Sequence, residues 1–195
     1  EYFADYFLHN SDVTFDLSTN EMQVHDKKGE NWKVTILDTG LNTMTGGRVL
    51  RAKQYLENER FLLTYGDGVA DVDLNALLAF HEQHGGIATM TTVSLAQQKG
   101  VLEKDDKGQI LAFREKNDED AAIINGGFMV LEPKVFDYLE GDATVLEQEP
   151  MRKLAAEGQL FGYAHDGFWQ CMDTQREKEK LETLWDEDKA PWKRW

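Results

Sequence analysis

Acidic residues at the ends of apolar runs are the first candidates for chemistry in this sequence. In FLLTYGDGVAD, Phe61 to Asp71, an apolar run stops at Gly66-Asp67-Gly68. A carboxylate at the C-terminal end of a buried strand lies where open α/β sheets bind ligands. Flanking glycines let backbone and ligand approach closely, because neither adds a Cβ. Mg2+ takes one or two protein carboxylates together with phosphate oxygens and water, so Asp67 is a candidate metal ligand. A turn closed by an Asx hydrogen bond is the alternative. Asp71-Val72-Asp73 is a D-x-D, a pattern that holds nucleotide diphosphates through a metal, yet Asp73 also suits the N-cap of a helix over the leucines that follow. In FWQCMDT, Asp173 follows a second short apolar stretch. It is either the cap of the last helix or a second carboxylate for a metal at Asp67, with aromatic neighbours that suit a sugar face.

Three further segments carry useful groups. Glu115-Lys116 stands at a strand end, where a lysine can pair with a phosphate and a glutamate with sugar hydroxyls; an exposed ion pair is the alternative. Asn125-Gly126-Gly127 offers an amide and two bare backbone units, or else a β-bulge. Thr45-Gly46-Gly47, in MTGG, precedes a helix start and leaves backbone N–H groups for a polar ligand, or forms a turn. Cys171 has no adjacent base and reads as core. The histidines show no metal-ligand spacing, and the sequence contains no G-x-S-x-G, H-E-x-x-H, Walker A or G-x-G-x-x-G.

The elements that must position these groups alternate in period. Val13, Phe15 and Leu17, then Met22 and Val24, flank a Ser-Thr-Asn turn and predict a hairpin within about 11–28. WKVTILDTG predicts a strand, and RVLRAKQYLEN an amphipathic helix. FLLTYG is nearly all apolar, the pattern of a parallel strand covered on both faces. DLNALLAFHEQHGG predicts a helix capped by Asp73 and stopped at Gly85. IATMTTVSL, IINGGFMVLE and LFGYAHDGFWQC predict strands, VLEKDDKGQILAFREK a hairpin, PKVFDYLE and PMRKLAAEG short helices, and TQREKEKLETLWDED a charged final helix. Strands alternating with helices over 195 residues indicate one α/β domain.

Composition narrows the partners. Thirty-six acidic against 21 basic side chains give a formal charge of −15, which disfavours nucleic acid and anionic membranes. A local cation or Mg2+ still allows small phosphorylated ligands. No apolar stretch approaches the length of a membrane span. The single cysteine excludes an internal disulfide and suits a reducing cytoplasm. The chain does not begin with Met, so Glu1 need not be its true start.

Taken in order, LDTG, MTGGR, FLLTYGDGVAD, EK, INGGF, EQEP, GFWQCMDT and the final APWK resemble the sugar-phosphate nucleotidyltransferases, and within them the glucose-1-phosphate cytidylyltransferases, over essentially the whole chain. The resemblance implies a Rossmann-like, mixed but mainly parallel sheet flanked by helices. It implies transfer of CMP from CTP to α-D-glucose 1-phosphate, giving CDP-glucose for deoxysugar and O-antigen precursors. Asp67 and Asp173 match the family's Mg2+-binding aspartates, and Lys116 its lysine facing the sugar phosphate. Glu115, Asn125, Gly126 and Gly127 match its sugar-binding segment, with Trp169 and Gln170 beside them. Gly66 and Gly68 flank the metal ligand, and Thr45, Gly46 and Gly47 fall in the segment that approaches the nucleobase. The hairpin near 11–28 resembles one used between subunits, which implies a homo-oligomer. The family's G-G-x-G-T-R-L loop has no counterpart, so the chain is expected to start after it, with the FLLTYG strand short of a neighbour. A protein that binds nucleotide sugar or assembles without turnover, and a D-x-D glycosyltransferase, stay open as alternatives.

Overall fold

The computed structural model describes residues 2–25, 31–95, 101–104, 110–114 and 122–194. The chain divides into two compact units, Glu1–Asp38 and Thr39–Trp195.

In the first unit, α1 (Tyr6–Asn10) precedes the antiparallel strands β1 (Val13–Asp16) and β2 (Glu21–Val24). The predicted hairpin is therefore present. Asp16 closes its turn by accepting from the Ser18 backbone N–H at 2.9 Å, and Asn20 takes the left-handed conformation at φ 57°. The strand predicted at WKVTILDTG does not form. Among the described residues no strand pairs with it, and Trp32, Val34 and Ile36 are exposed. An alternating pattern needs a ladder partner before it becomes a strand.

The second unit runs α2 (Thr45–Arg51), α3 (Lys53–Leu56), β3 (Phe61–Thr64), β4 (Gly68–Ala70), α4 (Leu74–His84), β5 (Ala88–Leu95), β6 (Val101–Lys104), β7 (Ile110–Arg114), β8 (Ala122–Leu131), a 3₁₀ turn (Pro133–Tyr138), α5 (Glu149–Ala156), β9 (Leu160–His165), β10 (Trp169–Cys171) and α6 (Gln175–Asp186). Its main sheet has the order β3-β8-β5-β9. β6 and β7 form the predicted hairpin, and β4 pairs with β10 as a separate antiparallel ribbon.

The α/β class is as expected, with a mixed sheet and helices packed on it. The balance of strand directions is different: among the described strands of the main sheet only β5–β9 is parallel, while β8 runs antiparallel to both β3 and β5. The strand covered on both faces is β8, not Phe61–Thr64. Met129 and Leu131 pack with Phe61, Ile87, Val135, Phe136, Leu146, Met151 and Leu154. Val130 points the other way, onto Val72 and Leu77. β3 has one partner among the described strands, and Leu62, paired with Val130, is 47% exposed.

Local signals account for the helices that frame the site. Asp73 caps α4 by accepting from Asn75 and Ala76 N–H, both at 3.0 Å, and Gly85 ends it at φ 64°. α6 begins with a capping box in which Thr174 and Glu177 satisfy each other's backbone N–H groups. Gly46 and Gly47 lie buried where α2 meets segment 142–146. A Cβ on Gly47 would fall 2.6 Å from the Asp142 carbonyl, so these two glycines permit close packing.

Candidate active site

The β4–β10 ribbon and the middle of β8 enclose a cleft of about 240 Å3. Asp67 stands just before β4 and Asp173 just after β10. Because Gly68 pairs with Cys171 and the Met172 N–H donates to the Asp67 carbonyl at 2.7 Å, the two aspartates occupy the same end of one ribbon. Both line the cleft, as do Gly68, Asn125, Gly126, Gly127 and Trp169.

The wall opposite the ribbon is a bulge. Met90 pairs with Met129 and Thr92 with Asn125, so Thr91 alone faces Gly126, Gly127 and Phe128. The extra residues turn β8 out of its ladder. Gly127 takes φ 81° and lies against the Tyr65 ring. The Asn125 carbonyl oxygen Oδ1 accepts from the Gly127 N–H at 2.8 Å, and the Gly126 carbonyl, freed from the ladder, accepts from the Trp169 indole at 2.8 Å. The bulge alternative and the ligand-facing alternative for INGG are therefore compatible: the bulge is what brings this segment to the cleft.

The two aspartate pairs have different duties. Asp71 accepts from the Phe168 N–H at 2.7 Å and lies 3.1 Å from His165 Nε2, while Asp73 caps α4. Both members of the D-x-D are thus occupied by the fold. The Asp67 side chain takes part in no hydrogen bond or ion pair among the described residues, and Asp173 does not cap α6, because Thr174 does. Both aspartates are exposed at the cleft. A Cβ built on Gly66 or Gly68 meets nothing within 4 Å, so the fold gives no steric reason for either glycine. Paired carboxylates beside open backbone suit a hard, oxygen-seeking cation such as Mg2+ carrying phosphate ligands. The Cys171 Sγ and the Asp173 and Glu177 carboxylates also cluster within 4.8 Å. Glu177 is committed to the capping box, and burial and then Asp173 push the Cys171 thiol up.

Other expected residues fall outside the cleft. Gln170 lies on the opposite face of β10, where its Oε1 accepts from Lys180 Nζ at 2.6 Å; the strand's alternation gives the cleft Trp169 and Cys171 instead. Gly46 and Gly47 are packed inside. Thr45 reaches the cleft indirectly, through Glu147 and Tyr65. Glu115 and Lys116 lie outside the described residues.

Tyr65 and Glu147 are site or near-site residues that sequence reasoning passed over, and Cys171, read from the sequence as core, is only half-buried and lines the cleft. Tyr65 immediately precedes Gly66-Asp67-Gly68, and Glu147 opens the EQEP stretch, so both lay within reach of the motifs. The Tyr65 hydroxyl donates to Glu147 Oε1 at 2.6 Å, and its pKa is raised by burial and then by that bond.

Comparison with known proteins shows the family. The Nucleotidyl transferase family model matches residues 12–172. Glucose-1-phosphate cytidylyltransferases of Salmonella typhi and Salmonella typhimurium are each 52% identical over the whole chain, which covers 76% of either relative. Among solved structures, HddC from Yersinia pseudotuberculosis superposes with a TM-score of 0.59 at 19% identity, over 79% of this chain and 68% of that one, a likeness of fold. The chain belongs to the nucleotidyl transferase family, alongside glucose-1-phosphate cytidylyltransferases.

Proposed function

We propose that the protein transfers CMP from CTP to α-D-glucose 1-phosphate, releasing pyrophosphate and CDP-glucose, a supply reaction for deoxysugar and O-antigen precursors. The observation that carries the proposal is the meeting of Asp67 and Asp173 across the β4–β10 ribbon, in a cleft also lined by Asn125, Gly127 and Trp169. It is supported by 52% identity to relatives named for this reaction.

In the reaction a phosphate oxygen of the sugar phosphate forms a bond to the α-phosphorus, and the α–β phosphoanhydride breaks in line. The protein holds two anionic substrates in line and stabilises the charge. Asp67 and Asp173 would hold Mg2+, which would supply positive charge against the charge on the phosphates. Asn125 and the Gly126-Gly127 backbone bind the sugar side, with Trp169 locked beside them by its bond to Gly126. Lys116 faces the sugar phosphate in this reading, with Glu115 on the sugar hydroxyls and Thr45 on the nucleotide side.

No helix among the described residues is long and apolar enough to cross a membrane; the charge of −15 and the single cysteine support a cytoplasmic setting. The β1–β2 hairpin, with Phe15, Leu17 and Met22 exposed, supports a homo-oligomer contact, which sedimentation of a Phe15→Ser variant tests by a lower mass.

Pyrophosphate release with glucose 1-phosphate and CTP, UTP or dTTP, with and without EDTA, tests the reaction. CTP turnover that EDTA abolishes is expected. Binding of CDP-glucose without any turnover would overturn it in favour of a non-catalytic nucleotide-sugar binder.

A further inference from the structure

Glu147 sits on the turn before α5, and both of its carboxylate oxygens are taken by hydroxyls. Thr45 Oγ1 donates to Oε2 at 2.6 Å and the Tyr65 hydroxyl to Oε1 at 2.6 Å. An ionised carboxylate only accepts, so both hydroxyls are committed as donors. Their oxygens then accept from elsewhere: Thr45 Oγ1 from the Leu146 N–H at 3.0 Å, and the Tyr65 hydroxyl from Asn125 Nδ2 at 3.1 Å. Asn125 Oδ1 is thereby turned towards the Gly127 N–H. One acceptor-only group sets the direction of every bond in the run, including the face that the Asn125 amide presents.

An exposed hydrogen bond is ordinarily weak, but three features set this one apart. It joins three segments far apart in the chain: the start of α2, the exit of β3 and the bulge of β8. The bonds to Glu147 are short and charge-assisted. The Tyr65 ring also fits closely over Gly127, where a Cβ would lie 2.9 Å from Tyr65 Cδ2. Moving Tyr65 therefore moves the bulge.

We propose that Glu147 is a positioning residue for the sugar-phosphate half of the site, acting through Tyr65 on Asn125 and Gly127. The proposal rests on the nucleotidyl transfer described above. It gives Tyr65 no proton-transfer duty: its raised pKa keeps it a donor to Glu147.

The test compares wild type with Glu147→Ala, Tyr65→Phe, Asn125→Ala and the double variant Glu147→Ala/Tyr65→Phe. Each is measured for KM towards glucose 1-phosphate, for calorimetric Kd towards CTP and for Tm. The loss of one hydrogen bond's positioning raises the sugar-phosphate KM about tenfold in either single variant. The double variant is no worse than Glu147→Ala, because both cuts sever one relay. CTP affinity stays within about twofold in Tyr65→Phe and Asn125→Ala, which leave the Thr45–Glu147 bond in place. Lower Tm with unchanged KM, or multiplicative effects in the double variant, overturns the proposal. If wild type itself releases no pyrophosphate, the enzymatic reading has failed instead. The relay is then judged by Kd for CDP-glucose in the same proteins, and an unchanged Kd in Glu147→Ala and Tyr65→Phe overturns it.

Discussion

The carboxylate of Asp71 accepts a 2.7 Å hydrogen bond from the backbone N–H of Phe168, 97 residues away in the chain. That bond ties β4 to β10 beyond their three-residue ladder, and it separates Asp71 from Asp67, four residues earlier, in function. Asp71→Ala leaves a partly buried N–H without its acceptor and costs about 1–3 kcal/mol, visible as a lower Tm. Asp67→Ala leaves Tm nearly unchanged and abolishes Mg2+-dependent pyrophosphate release. The reverse pattern, with Asp71→Ala the more damaging to metal-dependent binding, would favour a D-x-D glycosyltransferase.

Gly68→Ala separates room for a ligand from room for the fold. A Cβ there meets nothing within 4 Å, so stability stays within about 0.5 kcal/mol by urea titration. Turnover falls about tenfold or more, because the methyl group intrudes beside the reacting phosphates. Unchanged kcat/KM would count against the placement of substrate at this ribbon.

Gly127→Ala acts on both counts. At φ 81° an alanine is strained, and its Cβ would lie 2.9 Å from the Tyr65 ring. The cost is about 1–3 kcal/mol. The displaced Tyr65 then raises the KM for glucose 1-phosphate, so Tm and KM should move together.

A histidine pair behind the sheet predicts a pH dependence of stability. His84 Nδ1 accepts from the Gly86 N–H at 2.9 Å, so its proton sits on Nε2, 2.7 Å from Thr89 Oγ1. Thr89 in turn donates to His81 Nδ1 at 2.7 Å. Burial, and then His81, lower the His84 pKa below its ordinary 6.5. Below about pH 6.5 the unfolded chain takes up a proton that the folded chain refuses. Stability is thus full above 6.5 and is lost as pH falls towards the depressed folded value. Urea midpoints between pH 5 and 7.5 should fall on acidification in wild type and fall less in His84→Gln.

Local signals carried the helices and much of the cleft into view from the residues alone. Asp73 and Gly85 bracket α4 because capping depends on the residues next to it. Asp67, Asn125, Gly127, Trp169 and Asp173 were all legible as candidates, since each sits at a junction of apolar run and polar or glycine residues. Strand direction was not legible in the same way. The apolar pattern of Phe61–Thr64 fits a central parallel strand, but β8 fills that covered position, and pairing between distant segments decides which strand wins. Asp173 and Thr174 are both capable caps, and the register of α6 selects Thr174. Glu147 was hidden by composition: one exposed carboxylate among 36 acidic residues carries no local mark of its two hydroxyl partners.

The ribbon of β4 and β10 also bears on the order in which the molecule assembles. Its three-residue strands have little stability of their own, and joining them closes a loop of roughly a hundred residues, an entropic cost met only after other contacts have shortened the chain between them. The β5–β9 and β5–β8 pairings lie within that interval, so the main sheet can form first and draw the ribbon together. Secondary structure would then return early in refolding, and the pairing that aligns Asp67 with Asp173 would come late, making competence for chemistry one of the last properties the chain acquires.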